Sequence, residues 1–187
     1  MRKLSIFFAV ACTLLLSILA AYAQAQAPMV VYDDGLQSGW DNWSWAKVEF
    51  ADPIGGAKPI KVEGDAWSAL ALHHAPFSTK GYSNLVFYMN GGVDGGQSVA
   101  IKLTVAEKIL EKSYVVQPGA KKWAVAKIAL QELDGVDAMI EGIYFQAQAA
   151  PNKAYYVTRI VYQPGVCARV TSMNMLSLSL IKISNEN

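Results

Sequence analysis

Between Met29 and Tyr162 the chain alternates short apolar or aromatic runs with clusters of Gly, Pro, Asn and Asp, and several runs repeat with a period of two. On an extended strand successive side chains point to opposite faces, so each alternating run predicts a β-strand with one face inward. The runs are MVVY (29–32), WSWAKVEF (43–50), PIKVEG (59–64), WSALALHH (67–74), SNLVFYMN (83–90), QSVAIKLTVA (97–106), KSYVVQ (112–117), WAVAKIAL (123–130), GIYFQAQ (142–148) and AYYVTRIVY (154–162). Leu85, Phe87 and Met89 share one face, against Val86, Tyr88 and Asn90. Val99, Ile101, Leu103 and Val105 form an inward stripe that leaves Lys102 and Thr104 outward, and Ile143, Phe145 and Ala147 oppose Tyr144, Gln146 and Gln148. Many short strands separated by turn residues predict an all-β fold, a two-sheet antiparallel sandwich. TVAEKILEK (104–112) and AVAKIALQEL (124–133) have acceptable helical composition, but Val, Ile and Trp dominate them, and strands with at most one short helical turn are expected.

The ends of the chain follow other patterns. MRKLSIFFAVACTLLLSILAAYAQAQA has Arg2 and Lys3 ahead of an apolar run and the small-x-small site Ala21-Tyr22-Ala23 behind it, the order of a secretory signal peptide. Ala25 and Ala27 offer later cleavage sites, so the mature start falls between Gln24 and Pro28, and residues 1–27 are set aside from the fold. After Tyr162, Pro164 and Gly165 mark a break, and the segment 164–187 is rich in Ser and Met with no aromatic residue; it reads as a divergent extension or an extra edge strand. The sandwich is therefore assigned to residues 28–163, long enough for one sizeable core.

Charge and cysteine content narrow the function classes. Taking Arg2 and Lys3 from sixteen basic residues leaves fourteen against fifteen acidic ones, a net charge of −1, which calls for neither nucleic acid nor, after signal cleavage, a membrane. Of two cysteines, Cys12 leaves with the signal and Cys167 remains alone, so no internal disulfide is expected in an extracellular, monomeric domain. No catalytic motif stands out. His73 and His74 are the only histidines and, as strand neighbours, point to opposite faces; His-Glu-x-x-His, Gly-x-Ser-x-Gly and Cys-x-x-Cys are absent. GGVDGG (91–96) joins two strands and precedes no helix that could hold a phosphate. Asp33, Asp34, Glu49, Glu63 and Asp65 could supply a carboxylate pair only if folding set them at the required separation.

What remains is planar and amphipathic: five Trp and nine Tyr alongside Asn, Gln and His. Sugars present C–H patches on one face and hydroxyls around the edge, so a site for them combines a flat aromatic with forked polar groups. Alternation puts Trp43, Trp45, Lys47 and Glu49 on one face of their run, with Val48 and Phe50 on the other; Trp40 falls in the preceding loop, as a rim or a plug on the core's end. Trp67 and His73 oppose Leu70 and Leu72, and Tyr88, Lys102, Tyr144, Gln146 and Arg159 lie opposite apolar stripes. A sheet face combining Trp43, Trp45, Trp67, His73, Tyr88, Lys102, Tyr144, Gln146 and Arg159 would make an aromatic-edged groove for a chain of sugars. Trp123 opens its strand in a packing role, and Asn42-Trp43-Ser44 is formally an N-glycosylation acceptor beside the groove.

VYDDGLQSGWDNWSWAKVEF, IKVEGDAWSALALHHAPFSTKGYSNLVFYMNGGVDGGQSVAIKL, KKWAVAKIALQEL and AYYVTRIVY together resemble secreted carbohydrate-binding modules of the galactose-binding-like jelly-roll type. The resemblance covers about residues 29 to 162 and is most specific in YDD...GW..WSW, W..L.LHH and F..NGG..GGQ. It implies a β-sandwich that binds a polysaccharide or cell-wall glycan without cutting it. It also implies a structural calcium held by an acidic residue near the first strand, where Asp33 and Asp34 stand, and by an Asp in the last strand. Thr158 and Arg159 occupy that second place, and Arg159 would repel the ion, which leaves the protein with no cofactor. Two other functions fit the same residues: a small glycan-active enzyme, hydrolase or lyase, using carboxylates, and a protein-binding adhesion module.

Overall fold

The computed structural model describes residues 26–165, apart from 38, 55, 150 and 151. Of the expected signal peptide (1–27) residues 1–25, and of the expected tail (164–187) residues 166–187 with Cys167, lie outside the described residues. The strands are β1 (Met29–Tyr32), β2 (Trp40–Asn42), β3 (Lys47–Glu49), β4 (Ile60–Gly64), β5 (Ala69–Ser78), β6 (Tyr82–Asn90), β7 (Val99–Val105), β8 (Lys108–Ile109), β9 (Tyr114–Val116), β10 (Trp123–Ala129), β11 (Met139–Ala147) and β12 (Asn152–Pro164). They form two antiparallel six-stranded sheets, as the alternating runs predict. The front sheet runs β2-β5-β11-β7-β8, with β9 also on β7, and the back sheet runs β10-β6-β12-β4-β3, with β1 on β12.

The inward stripes meet between the sheets. Leu70, Leu72, Ile101, Leu103, Ile143 and Phe145 from the front pack against Leu85, Phe87, Met89, Tyr155, Val157 and Tyr162 from the back, all buried. Phe87 and Phe145 meet edge to face with centroids 5.0 Å apart, and the Tyr155 hydroxyl donates to the Phe145 carbonyl across the layers at 3.3 Å. The two ambiguous stretches resolve into strands. β7 turns into β8 through Ala106 and Glu107, both at positive φ (48° and 61°), a geometry suited to tight hairpins. β10 ends in a single 3-10 turn, Leu130–Leu133, that buries Leu130 and Leu133.

WSWAKVEF is not one strand. The amide of Trp43 donates to Ala71 O at 2.9 Å, and then both Trp45 N and Ala46 N converge on Ala69 O, at 3.2 and 3.0 Å. Two donors on one carbonyl end the ladder along β5, and the chain crosses through buried Ala46 to enter the back sheet as β3. Trp43 and Trp45 therefore border the front sheet, whereas Lys47 and Glu49 belong to the back sheet and share no face with them. Trp40 opens β2 rather than sitting in a loop. Its indole plugs one end of the core, 5.0 Å from the His74 ring and 5.9 Å from Phe77. Among the described residues no helix is long and apolar enough to cross a membrane.

Candidate functional site

The outer face of the front sheet has a low floor. Across β5, β11 and β7 the register sets Ala69 beside Gln146 and Ala100, Ala71 beside Tyr144 and Lys102, and His73 beside Gly142 and Thr104. A Cβ on Gly142 would lie 2.8 Å from Thr104 Oγ1 and 3.0 Å from Leu72 O, so nothing larger fits there. Ala69, Ala71 and Ala100 are wholly buried although they point away from the core, because larger side chains lie over them. Trp45 enters from the β2 edge and Tyr144 from β11, on the far side of β5, yet their rings meet edge-on with centroids 5.4 Å apart. Strands are spaced by about 4.8 Å, so two rings on either side of β5 can meet like this only by leaning over its alanine methyls. Trp43 lies flat on His73, with centroids 3.6 Å apart and planes 3° from parallel.

The third indole is held by its backbone. Trp67 has φ of 67°, a left-handed conformation that is strained for a bulky residue. Its amide donates to Ala147 O at 3.0 Å, and its carbonyl accepts from Trp45 Nε1 at 2.9 Å and from Gln146 Nε2 at 3.1 Å. Gln146 Oε1 in turn accepts from Lys102 Nζ at 3.0 Å. The polar chain Lys102, Gln146, Trp67 and Trp45 thus locks the turn that projects Trp67. Trp43, Trp45 and Trp67 are 57%, 51% and 60% exposed, so all three present aromatic surface outward while anchored from beneath. Lys102 keeps two further N–H groups, and the Tyr144 hydroxyl adds a donor and acceptor, beside flat faces suited to C–H patches.

The nine residues expected on one face divide between two. Trp43, Trp45, Trp67, His73, Lys102, Tyr144 and Gln146 gather on the front sheet. Tyr88 on β6 and Arg159 on β12 sit on the opposite outer face, because alternation assigns a side within a strand and does not say which sheet the strand joins. Trp123 lies in the back sheet too, half-buried at the start of β10. The alanine floor and the Trp67 carbonyl were not singled out from the sequence. The small residues alternating in SALALHH carry the signal for the floor; nothing local marks the carbonyl.

The back sheet carries the acidic candidates. Lys47 and Lys61 pair with Glu49 and Glu63 at 3.0 to 3.7 Å, and hydrogen bonds from Lys61 and then Lys47 hold the Glu63 carboxyl below its ordinary range. Asp34 Oδ1 accepts from the Lys58 amide at 3.1 Å, and Asp33 faces the Arg159 Nε at 3.8 Å. Among the described residues no three His, Cys, Asp or Glu side chains converge, and Asp33 has the Arg159 guanidinium beside it.

No family model matches the chain, and no curated protein matches it. Solved structures do. A family 29 carbohydrate-binding module matches with TM-score 0.54 at 18% identity, over 73% of this chain and 87% of that one. A family 29 module from Piromyces equi matches with TM-score 0.56 at 20% identity, over 75% and 92%. A variant of such a module complexed with cellulohexaose matches with TM-score 0.54 at 19% identity, over 73% and 89%. The likeness is one of fold, the two-sheet antiparallel sandwich of these modules.

Proposed function

We propose that this chain is a secreted, non-catalytic module that holds a polysaccharide or cell-wall glycan against the outer face of the front sheet. One observation carries the reading: three indoles, each more than half exposed, gather on one sheet face, Trp45 and Trp67 tied through the Trp67 carbonyl beside a floor of buried alanines and Trp43 stacked on His73. Exposed tryptophan would ordinarily be covered in a free-standing domain. Here hydrogen bonds at the Trp67 carbonyl and the stacking of Trp43 on His73 hold it outward, which cuts the ordering cost of binding a flat ligand. Modules of the same fold have been solved with cellulohexaose and mannohexaose, which supports a chain of hexoses as the ligand class. On this reading residues 1–27 are removed on secretion, 28–163 act as a monomeric binding unit, and 164–187 form an extension outside it. Affinity electrophoresis through soluble plant, fungal and bacterial polysaccharides tests it. Trp43→Ala and Trp45→Ala should each weaken retention about tenfold or more while leaving the melting temperature within a few degrees. Retention unchanged in both variants would remove the indoles from the site. Reducing ends or unsaturated products released from any of these polysaccharides would make the protein an enzyme.

A further inference from the structure

The outer face of the back sheet holds an arrangement that the tryptophan face does not use. Around Tyr88 the register brings Val125 of β10 and Thr158 of β12 to either side, with Trp123 beside Asn90 in the neighbouring row and Lys127 beside Val86 in the other. Tyr88 and Val125 are exposed. β12 bulges immediately after Thr158, and Arg159 takes φ of 50°, which lifts its side chain over the sheet and sets the guanidinium carbon 5.8 Å from the centre of the Tyr88 ring. Bulges commonly re-aim one side chain in this way. The Thr158 hydroxyl, next to Tyr88, is buried and has no hydrogen-bond partner.

The charge on this side is uneven. Glu49 and Glu63 are balanced by Lys47 and Lys61 at the β3 end. At the β10 end Lys121, Lys122 and Lys127 make no ion pair among the described residues. Arg159 has one acidic neighbour, Asp33, at 3.8 Å with both side chains more than half exposed, a pair that a competing carboxylate could displace at little cost.

We infer that this face is a second glycan site, for an acidic polysaccharide bearing uronate carboxylates. The C–H face of a uronate ring would lie on Tyr88 and Val125, its carboxylate would take charge-assisted hydrogen bonds from Arg159, and Lys127 would attract the next carboxylate along the chain. The partner follows from charge complementarity around an exposed aromatic ring, and it does not depend on the tryptophan face binding anything. With both faces occupied, the module would bridge two chains.

The experiment uses the full chain carrying Trp43→Ala and Trp45→Ala, so that the remaining binding belongs to the back sheet. Retention is compared on polygalacturonate and on its methyl ester, which keeps the sugar ring and loses the charge. Polygalacturonate should retain the protein and the ester should not. Arg159→Asn, chosen because Asn tolerates the left-handed backbone, should weaken retention about tenfold, and Lys127→Gln several-fold. Should Arg159→Asn fail to melt cooperatively, Lys127→Gln decides. No retention on polygalacturonate, equal retention on the ester, or binding indifferent to both substitutions would overturn the inference. Failure of the tryptophan reading would show separately, as neutral glycans ignored by the parent protein.

Discussion

On the outer face of the front sheet, strand β5 presents Ala69, Ala71 and His73; on the outer face of the back sheet, β12 presents Tyr156, Thr158 and Val161. Both strands have neighbours on either side, and both turn large apolar side chains toward the core. The difference lies in height. Alanine methyls leave room for indoles entering from the edge to lie across β5, and Trp43 and Trp45 stay exposed without standing free. On the back sheet larger side chains fill the same layer, so aromatic surface emerges singly, at Tyr88, and long charged side chains cover the β3 end. A platform thus depends as much on what is small beneath it as on the rings above.

The contrast can be broken at several points. The largest effect belongs to the inner side of the same strand: Leu72→Ala, wholly buried between the sheets, should cost about 2–5 kcal/mol in denaturant unfolding. A loss below 1 kcal/mol would mean that β5 does not divide core from floor as described. On the back sheet the inner side of β12 carries Tyr155 and Tyr162, whose phenols burial pushes well above their ordinary value of 10.0. A raised folded value means that stability is intact below pH 10 and falls as the pH rises further, since the unfolded chain gives up these protons first. Phenolate absorbance from these two should therefore appear together with loss of near-ultraviolet circular dichroism above pH 10.

Raising the floor tests the platform itself. Ala71→Leu should cost about 1–3 kcal/mol by overpacking and should lift the Trp45 indole, lowering polysaccharide retention along with the fluorescence signature of the Trp45–Tyr144 contact. The smallest effect concerns the charged layer opposite. Glu63 titrates below its ordinary 4.5, so its contribution is present above that pH and fades as the pH falls through the folded value. Because the group is partly exposed, Glu63→Gln should lower stability by less than about 1 kcal/mol at pH 7, and the difference from the parent should shrink as the pH falls below 4.5.

Much of the scaffold was legible in the sequence. The runs at 59–64, 83–90, 97–106, 123–130 and 154–162 coincide with strands to within a few residues, and Leu85, Phe87 and Met89 turn inward as their spacing requires. The run at 43–50 misled, because its alternation continues unbroken through the crossing at Ala46. The strand at Trp40–Asn42 passed as a loop, because three residues are too few to show a period. Trp67 was legible as a candidate and not as a strained anchor, since no local pattern announces that a carbonyl will accept from two side chains arriving from β11 and from the segment after β2.

What the sequence determined by itself is which residues point the same way along each strand, and with that the all-β class and the apolar stripes of the core. Pleating makes this a property of adjacent residues, readable without knowing any partner. Which strands lie side by side was decided only by the tertiary structure, through backbone pairing between segments far apart in the chain. That pairing sent Tyr88 and Arg159 to one outer face and gathered Trp43, Trp45 and Trp67 on the other.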